Sequence, residues 1–310
     1  MARSGSYDFS LNRQQFVTLV LQSLNLVAKN KTPPSDMMDF AVKRLNIMLK
    51  SWMRQYGIKL WNRFEAYVFP AYQTASYSLG SSGDNATKSY VSTTLDGDEA
   101  SGQTTLSVTS TSSFNNSDKI GVILDDGTLQ WSTIDSFVTN DTVTIADALT
   151  GSASSGNYVY VYTTKMPRPL RIMKASLYDV TTGRETKIDP MSRDEYFDFT
   201  DKTIDSQPNR YFYDPLLDNG ILYVYPRPTT LTEIIKILYH EPLEDMDSAT
   251  DDFDLPSEWY EAIFLNLEYR IAKGYNKYPE ADKLKDEAKE ELLSASWYNT
   301  DRESLMISYR

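Results

Sequence analysis

His240 is the only histidine in the chain, and it stands at the end of a β-rich run directly before Glu241. A Ser-His-Asp relay would have to pass through it. No Gly-x-Ser-x-Gly elbow supplies the serine. A triad needs three side chains in register, so a structural histidine is the expectation. Adjacent acids are plentiful: Asp125/Asp126, Asp251/Asp252 and Glu290/Glu291. Two carboxylates at a suitable separation can hydrolyse a glycosidic bond, but sequence neighbours usually point apart into solvated turns. Asp96-x-Asp98-Glu99 offers oxygen ligands for Ca²⁺ without the loop spacing of an EF-hand. Lys43, Lys50 and Arg54 fall seven and four residues apart, which puts them on one face of a helix. They suit DNA phosphates or an acidic neighbouring subunit; the alternative is a solvated face opposite an apolar stripe.

Other chemistry lacks its residues. The chain has no cysteine, so it has no disulfide, thiolate nucleophile or Cys-ligated metal. It carries neither a Walker-type phosphate loop nor a dinucleotide fingerprint. No cofactor and no metal are expected, and the chain reads as a non-enzyme. The net charge of −12 opposes general attraction to a phosphate backbone. The start, Met-Ala-Arg-Ser-Gly-Ser, lacks the apolar core of a signal peptide. The apolar-rich run Phe16–Ala28 is too short to span a bilayer, so a soluble protein is expected. The 22 Tyr and 5 Trp suit interfaces, since each offers a large apolar area with a polar tip.

The elements that would position these groups can be read from periodicity. Phe16, Val20, Leu24 and Val27 recur at helical spacing. After Thr32-Pro-Pro-Ser-Asp36, the residues Met38, Ala41, Val42, Leu45, Met48, Leu49, Trp52 and Tyr56 form a second apolar stripe. Around Leu60–Tyr77 the pattern turns aromatic, and Pro70 predicts an edge strand or an irregular segment there. Residues 88–164 are rich in Ser, Thr, Gly and Asp. They contain short β-type runs and the hairpin signal Asp125-Asp126-Gly127. The segments Arg210–Tyr213, Gly220–Tyr225 and Thr232–His240 predict strands of an antiparallel meander. Ser192 and Glu195 predict a capping box. Two more helices follow, with Tyr260, Phe264, Leu267 and Ile271 on one and Leu284, Ala288 and Leu292 on the other.

The expected class is α+β: helical N- and C-terminal segments packed together with an antiparallel β meander, plus an inserted small all-β domain. The expected boundaries are an αα-hairpin and aromatic segment over 1–87, a β-sandwich or barrel-like insert over 88–164, the meander over 165–255, C-terminal helices over 256–298 and a tail over 299–310.

Three segments, in this order, resemble a known family. They are Leu45-Asn-Ile-Met-Leu-Lys-Ser-Trp52 with Gly57-Ile-Lys-Leu-Trp61, then Tyr225-Pro-Arg-Pro228, then Leu255-Pro-Ser-Glu-Trp259. The pattern is similar to the head-to-tail adaptor proteins of short-tailed bacteriophages, also called tail accessory factor or tail tubular protein A, over residues 11–75 and 166–298. The resemblance implies a structural virion protein of the head-tail neck, made in the host bacterial cytoplasm. It implies a homo-oligomeric ring, a dodecamer, between the portal protein and the tail nozzle protein. The ring would extend the DNA channel, pass DNA without sequence-specific binding, and help retain it until ejection. No membrane is involved. By the same resemblance the C-terminal region docks on the portal, which here points to Trp297, Tyr298, Leu305, Met306, Ile307, Tyr309 and Arg310. A tail this apolar could instead fold back on its own subunit. Two rival readings remain: a carbohydrate-binding tail-associated module, resting on Trp131 in the β-rich block, and a glycan hydrolase.

Overall fold

The computed structural model describes residues 9–55, 63–229 and 232–298. The chain divides into two compact units, one built from 1–62 and 242–310 and the other from 63–241.

The first unit is helical. Helix α1 (Arg13–Ser23) starts with a capping box: Asn12 accepts from the Gln15 amide, and the Gln15 side chain accepts from the Asn12 amide. It ends where Asn25 turns left-handed at φ 52° and Leu26 N–H donates to the Leu21 carbonyl. Helix α2 (Ser35–Gln55) buries Ala41, Leu45, Met48, Leu49 and Trp52, the stripe that the 3.6-residue period predicts. Helix α4 (Tyr260–Gly274) and helix α5 (Tyr278–Tyr298) complete the unit. Pro279 lies in the first turn of α5, where its missing N–H costs nothing. The shared core joins Phe16, Val20, Leu45, Trp52, Leu267 and Ile271 among others.

The second unit holds every strand among the described residues. In chain order these are β1 (Arg63–Val68), β2 (Ser76–Leu79), β3 (Ala86–Thr87), β4 (Val91–Thr94), β5 (Thr105–Ser107), β6 (Lys119–Ile123) and β7 (Leu129–Phe137). They continue with β8 (Thr142–Ile145), β9 (Tyr158–Tyr162), β10 (Arg171–Asp179), β11 (Glu185–Pro190), β12 (Arg210–Asp214), β13 (Gly220–Tyr225) and β14 (Glu233–His240). The short helix α3 (Arg193–Asp198) carries the Ser192–Glu195 capping box.

Eight strands form one curled sheet in the order β2-β13-β12-β11-β10-β14-β1-β3. All neighbours are antiparallel except the β11–β12 pair. The other six form a second curled sheet, β4-β9-β6-β7-β8-β5. Its two outer strands meet through a bridge between Leu95 and Val108. Two backbone bonds reinforce that seam, Asp96 N–H to Ser107 O and Thr109 N–H to Thr94 O. Asp125-Asp126-Gly127 turns the chain from β6 into β7, with Gly127 at φ 84°. Inward-facing Leu106, Ile120, Val122, Ile134, Val143 and Val161 fill the core of this sheet. Beside them the Trp131 ring lies against Gly121, where a Cβ would sit 2.8 Å from it, so only glycine fits.

These sheets overturn the α+β expectation. The described chain is mostly β, with fourteen strands in two large curled sheets and few helices. The long amphipathic stripes made the helices conspicuous in the sequence, whereas the strands are short and weakly patterned. The simple meander also fails: β14 pairs with β10 and β1, while β13 pairs with β2. Pro70 falls in an irregular stretch between β1 and β2, and β2, with Tyr77, lies at the edge of the sheet. Strand β1 ends before Pro70 and has a neighbour on each side, β14 and β3.

An aromatic cluster joins the two sheets. Phe69, just after β1, is fully buried against Tyr160 of β9, Tyr90 and Trp131. Among the described residues no helix is long and apolar enough to cross a membrane.

Candidate functional site

The residues with catalytic potential are used for structure. His240 is buried, with Nε2 3.4 Å from an Arg171 guanidinium nitrogen. Glu241 beside it accepts from Lys88 Nζ at 2.7 Å and from the Tyr239 hydroxyl at 2.9 Å. Burial raises the Tyr239 phenol far above its ordinary range, and the Glu241 carboxylate adds to the shift.

Of the acidic pairs, Glu290/Glu291 lies within α5, while Asp125, Asp126 and Asp251 cap turns. Asp125 accepts from the Ser154 amide, the Ser152 hydroxyl and the Asn157 side chain. These bonds, the Ser154 amide foremost, hold its carboxyl below the usual range. Asp126 accepts from the Thr128 amide, and Asp251 from the Ser248 amide. In the Asp96–Glu99 stretch, Asp98 accepts from the Ser155 amide, and buried Glu99 from the Ser107 amide at 2.6 Å. Among the described residues no three His, Cys, Asp or Glu side chains gather where a metal could sit. Trp131 is half-buried in the aromatic cluster and donates through Nε1 to Asn85, so its ring is not an open sugar platform.

Two side chains of the basic trio are described, and they differ in their surroundings. Lys50 is held within its own chain, 2.9 Å from Asp245 and donating to the Leu243 carbonyl. Lys43 is exposed. The side chain of Arg54 lies outside the described residues. Trp297 is 80% exposed near the end of α5, one turn after Leu293, itself 41% exposed. The Tyr298 side chain and Leu305, Met306, Ile307, Tyr309 and Arg310 lie outside the described residues.

Two exposed apolar features escaped the sequence reading. Helix α3 lays Tyr196 against Phe212 and Tyr223, and Phe199 stacks on Tyr225 with centroids 4.0 Å apart. Phe197 of the same helix stays 65% exposed. Next to this platform, the β12–β13 hairpin ends in Pro215-Leu216-Leu217-Asp218-Asn219, and Leu217 is 90% exposed. Two leucines in a turn, where Gly, Asn, Asp and Ser are the rule, were the available signal.

The described surface offers exposed aromatic and aliphatic side chains on both strands and helices, while His240 and the described turn acids are engaged in hydrogen bonds within the fold. Comparison with known proteins agrees with that character. Residues 117–305 match the family model described as SU10 adaptor protein. No curated protein matches the chain. The matched stretch begins ahead of β6 and runs through α5.

Proposed function

Since the chain belongs to the SU10 adaptor protein family, a family of structural phage proteins that work with other virion components, we propose that it forms a ring at the head-tail neck. The ring stands between the portal protein and the tail nozzle, prolongs the DNA channel, and helps retain packaged DNA until ejection. A dodecamer is the proposed assembly. The family match over 117–305 is the observation that carries this reading.

Physical features support it. A closed ring needs two different complementary faces on every subunit, and the exposed apolar side chains Ile47, Phe197, Leu217 and Trp297 are otherwise costly to leave in water. The net charge of −12 suits a conduit that repels phosphate and lets DNA slide. In this reading Trp297 and Tyr298, with the tail residues Leu305, Met306, Ile307, Tyr309 and Arg310, dock on the portal. Lys43 faces a neighbouring subunit or DNA. Residues 88–164 form a module carried by the adaptor, facing outward.

Electron microscopy of the purified chain mixed with the portal protein of its own phage tests the proposal. Rings seated on the portal are the expected result. A portal that stays bare at near-physiological salt overturns it.

A further inference from the structure

The tip of the β12–β13 hairpin is built as a knob. Five register pairs from Arg210↔Tyr225 to Asp214↔Ile221 stiffen its stem. The Tyr213 ring lies so close to Gly220 that a Cβ there would meet its hydroxyl at 2.0 Å. That hydroxyl donates to the Pro169 carbonyl at 2.6 Å. Asn219 accepts from the Ser82 amide at 3.2 Å. The loop is thus pinned on both sides, yet it lifts Leu216 and Leu217 into solvent at 44% and 90% exposure. Leu217 is the most exposed large apolar side chain among the described residues. Asp218 beside it is exposed and makes no ion pair among them. A preorganised apolar tip loses little entropy on docking.

The helical unit carries an open groove of about 690 Å³ between α1 and the segment leading to α2. Its apolar lining includes Leu11, Leu19 and Pro33, with Leu19 itself 44% exposed. Lys31 lies at its rim and makes no ion pair among the described residues. Gln14 and Asn30 add amides. The groove is fixed by the α1 capping box and by Gln22, which donates from its side chain to the Lys31 carbonyl at 3.4 Å.

We infer that the Leu216–Leu217 tip of one copy seats in the Leu11–Leu19–Pro33 groove of the next copy, with Asp218 meeting Lys31. The occupant is a second copy of this chain because knob and socket match in both chemistry and charge. Each presents apolar side chains beside one unpaired charge, and the two charges are opposite. Two different faces on each subunit make the contact heterologous, and a heterologous contact builds a ring when its rotation closes. The inference rests on the ring reading above and names one subunit contact within it.

The lack of native cysteine makes the test clean. The double variant Leu19→Cys/Leu217→Cys is mixed with portal, imaged, and treated with a short bis-maleimide linker. Rings that yield a ladder of covalently linked chains are expected, and either single variant should yield none beyond dimers. Rings without a ladder, or linkage only within one chain, overturn this contact and leave the ring reading standing. Absence of rings with the unsubstituted protein overturns both. Charge reversal gives a second measure. Lys31→Asp or Asp218→Lys alone should weaken self-association about two- to fivefold per contact, and the pair together should restore it. Failure of the pair to restore it argues against the Asp218–Lys31 meeting.

Discussion

The rings of Phe69 and Tyr160 lie 4.7 Å apart, centroid to centroid, with 31° between their planes. Phe69 follows β1 of the eight-stranded sheet and Tyr160 sits in β9 of the six-stranded one, so this contact couples the two sheets. Tyr90 and Trp131 meet Phe69 edge-on at 5.2 and 5.5 Å.

Removing that anchor should be costly. Phe69→Ala is expected to lower unfolding stability by about 3–5 kcal/mol, read as a lower denaturant midpoint. Phe69→Leu should cost much less. A Phe69→Ala midpoint equal to that of the parent would show that the cluster is not a cohesive core.

The Lys50–Asp245 pair is a modest contributor, because both side chains are partly exposed. A double-mutant cycle with Lys50→Met and Asp245→Ala should give a coupling of about 0.2–1 kcal/mol. Lys50→Met should leave ring formation intact, whereas Lys43→Glu is expected to alter it. Loss of assembly on Lys50→Met would return Lys50 to the interface.

Glu268 gives a pH signature. Burial raises its carboxyl above the ordinary value, with Glu261 and Glu287 adding to the shift, while a Ser23 hydrogen bond opposes it. The folded state therefore holds this proton to higher pH than the unfolded chain does. Between the unfolded value and the raised folded one, stability should fall as pH rises. Below both values Glu268 contributes no such slope. Glu268→Gln should flatten that part of the profile and stabilise the protein at neutral pH. Thermal melts across mildly acidic to neutral pH would reveal a parallel, unflattened profile if the argument is wrong.

Trp297 is 80% exposed, so Trp297→Ala should change fold stability by no more than about 0.5 kcal/mol. If it anchors the portal contact, the same change should weaken portal binding by about 2 kcal/mol or more, close to thirtyfold. Equal binding by the two proteins would remove Trp297 from that contact.

Some of this architecture was legible in the sequence. The stripe through Ala41, Leu45, Met48 and Trp52 repeats a 3.6-residue period across a long helix, so it stands above noise. Asp125-Asp126-Gly127 and the Ser192–Glu195 box work through local bonds, which a local pattern can reveal. Strand order was not legible. The β1–β14 pairing joins distant residues through backbone bonds that no side-chain spacing reports. Pro70 marks an irregular stretch that begins once β1 is complete at Val68, a break that proline's missing N–H makes legible. The surface features were the least visible, because Leu217 looks like a core residue until the hairpin lifts it out.

The register of Arg63 with His240 has a consequence for how this protein can be rebuilt. Strands that face one another as ladder partners bring the two gates of the 63–241 unit within roughly 5 Å. The helical core, drawn from both flanks, therefore needs only a few residues to bridge its two halves. Replacing 63–241 by a short linker is therefore expected to leave a helical remnant with native-like far-UV circular dichroism, and loss of that signal would show that the helices depend on the β unit.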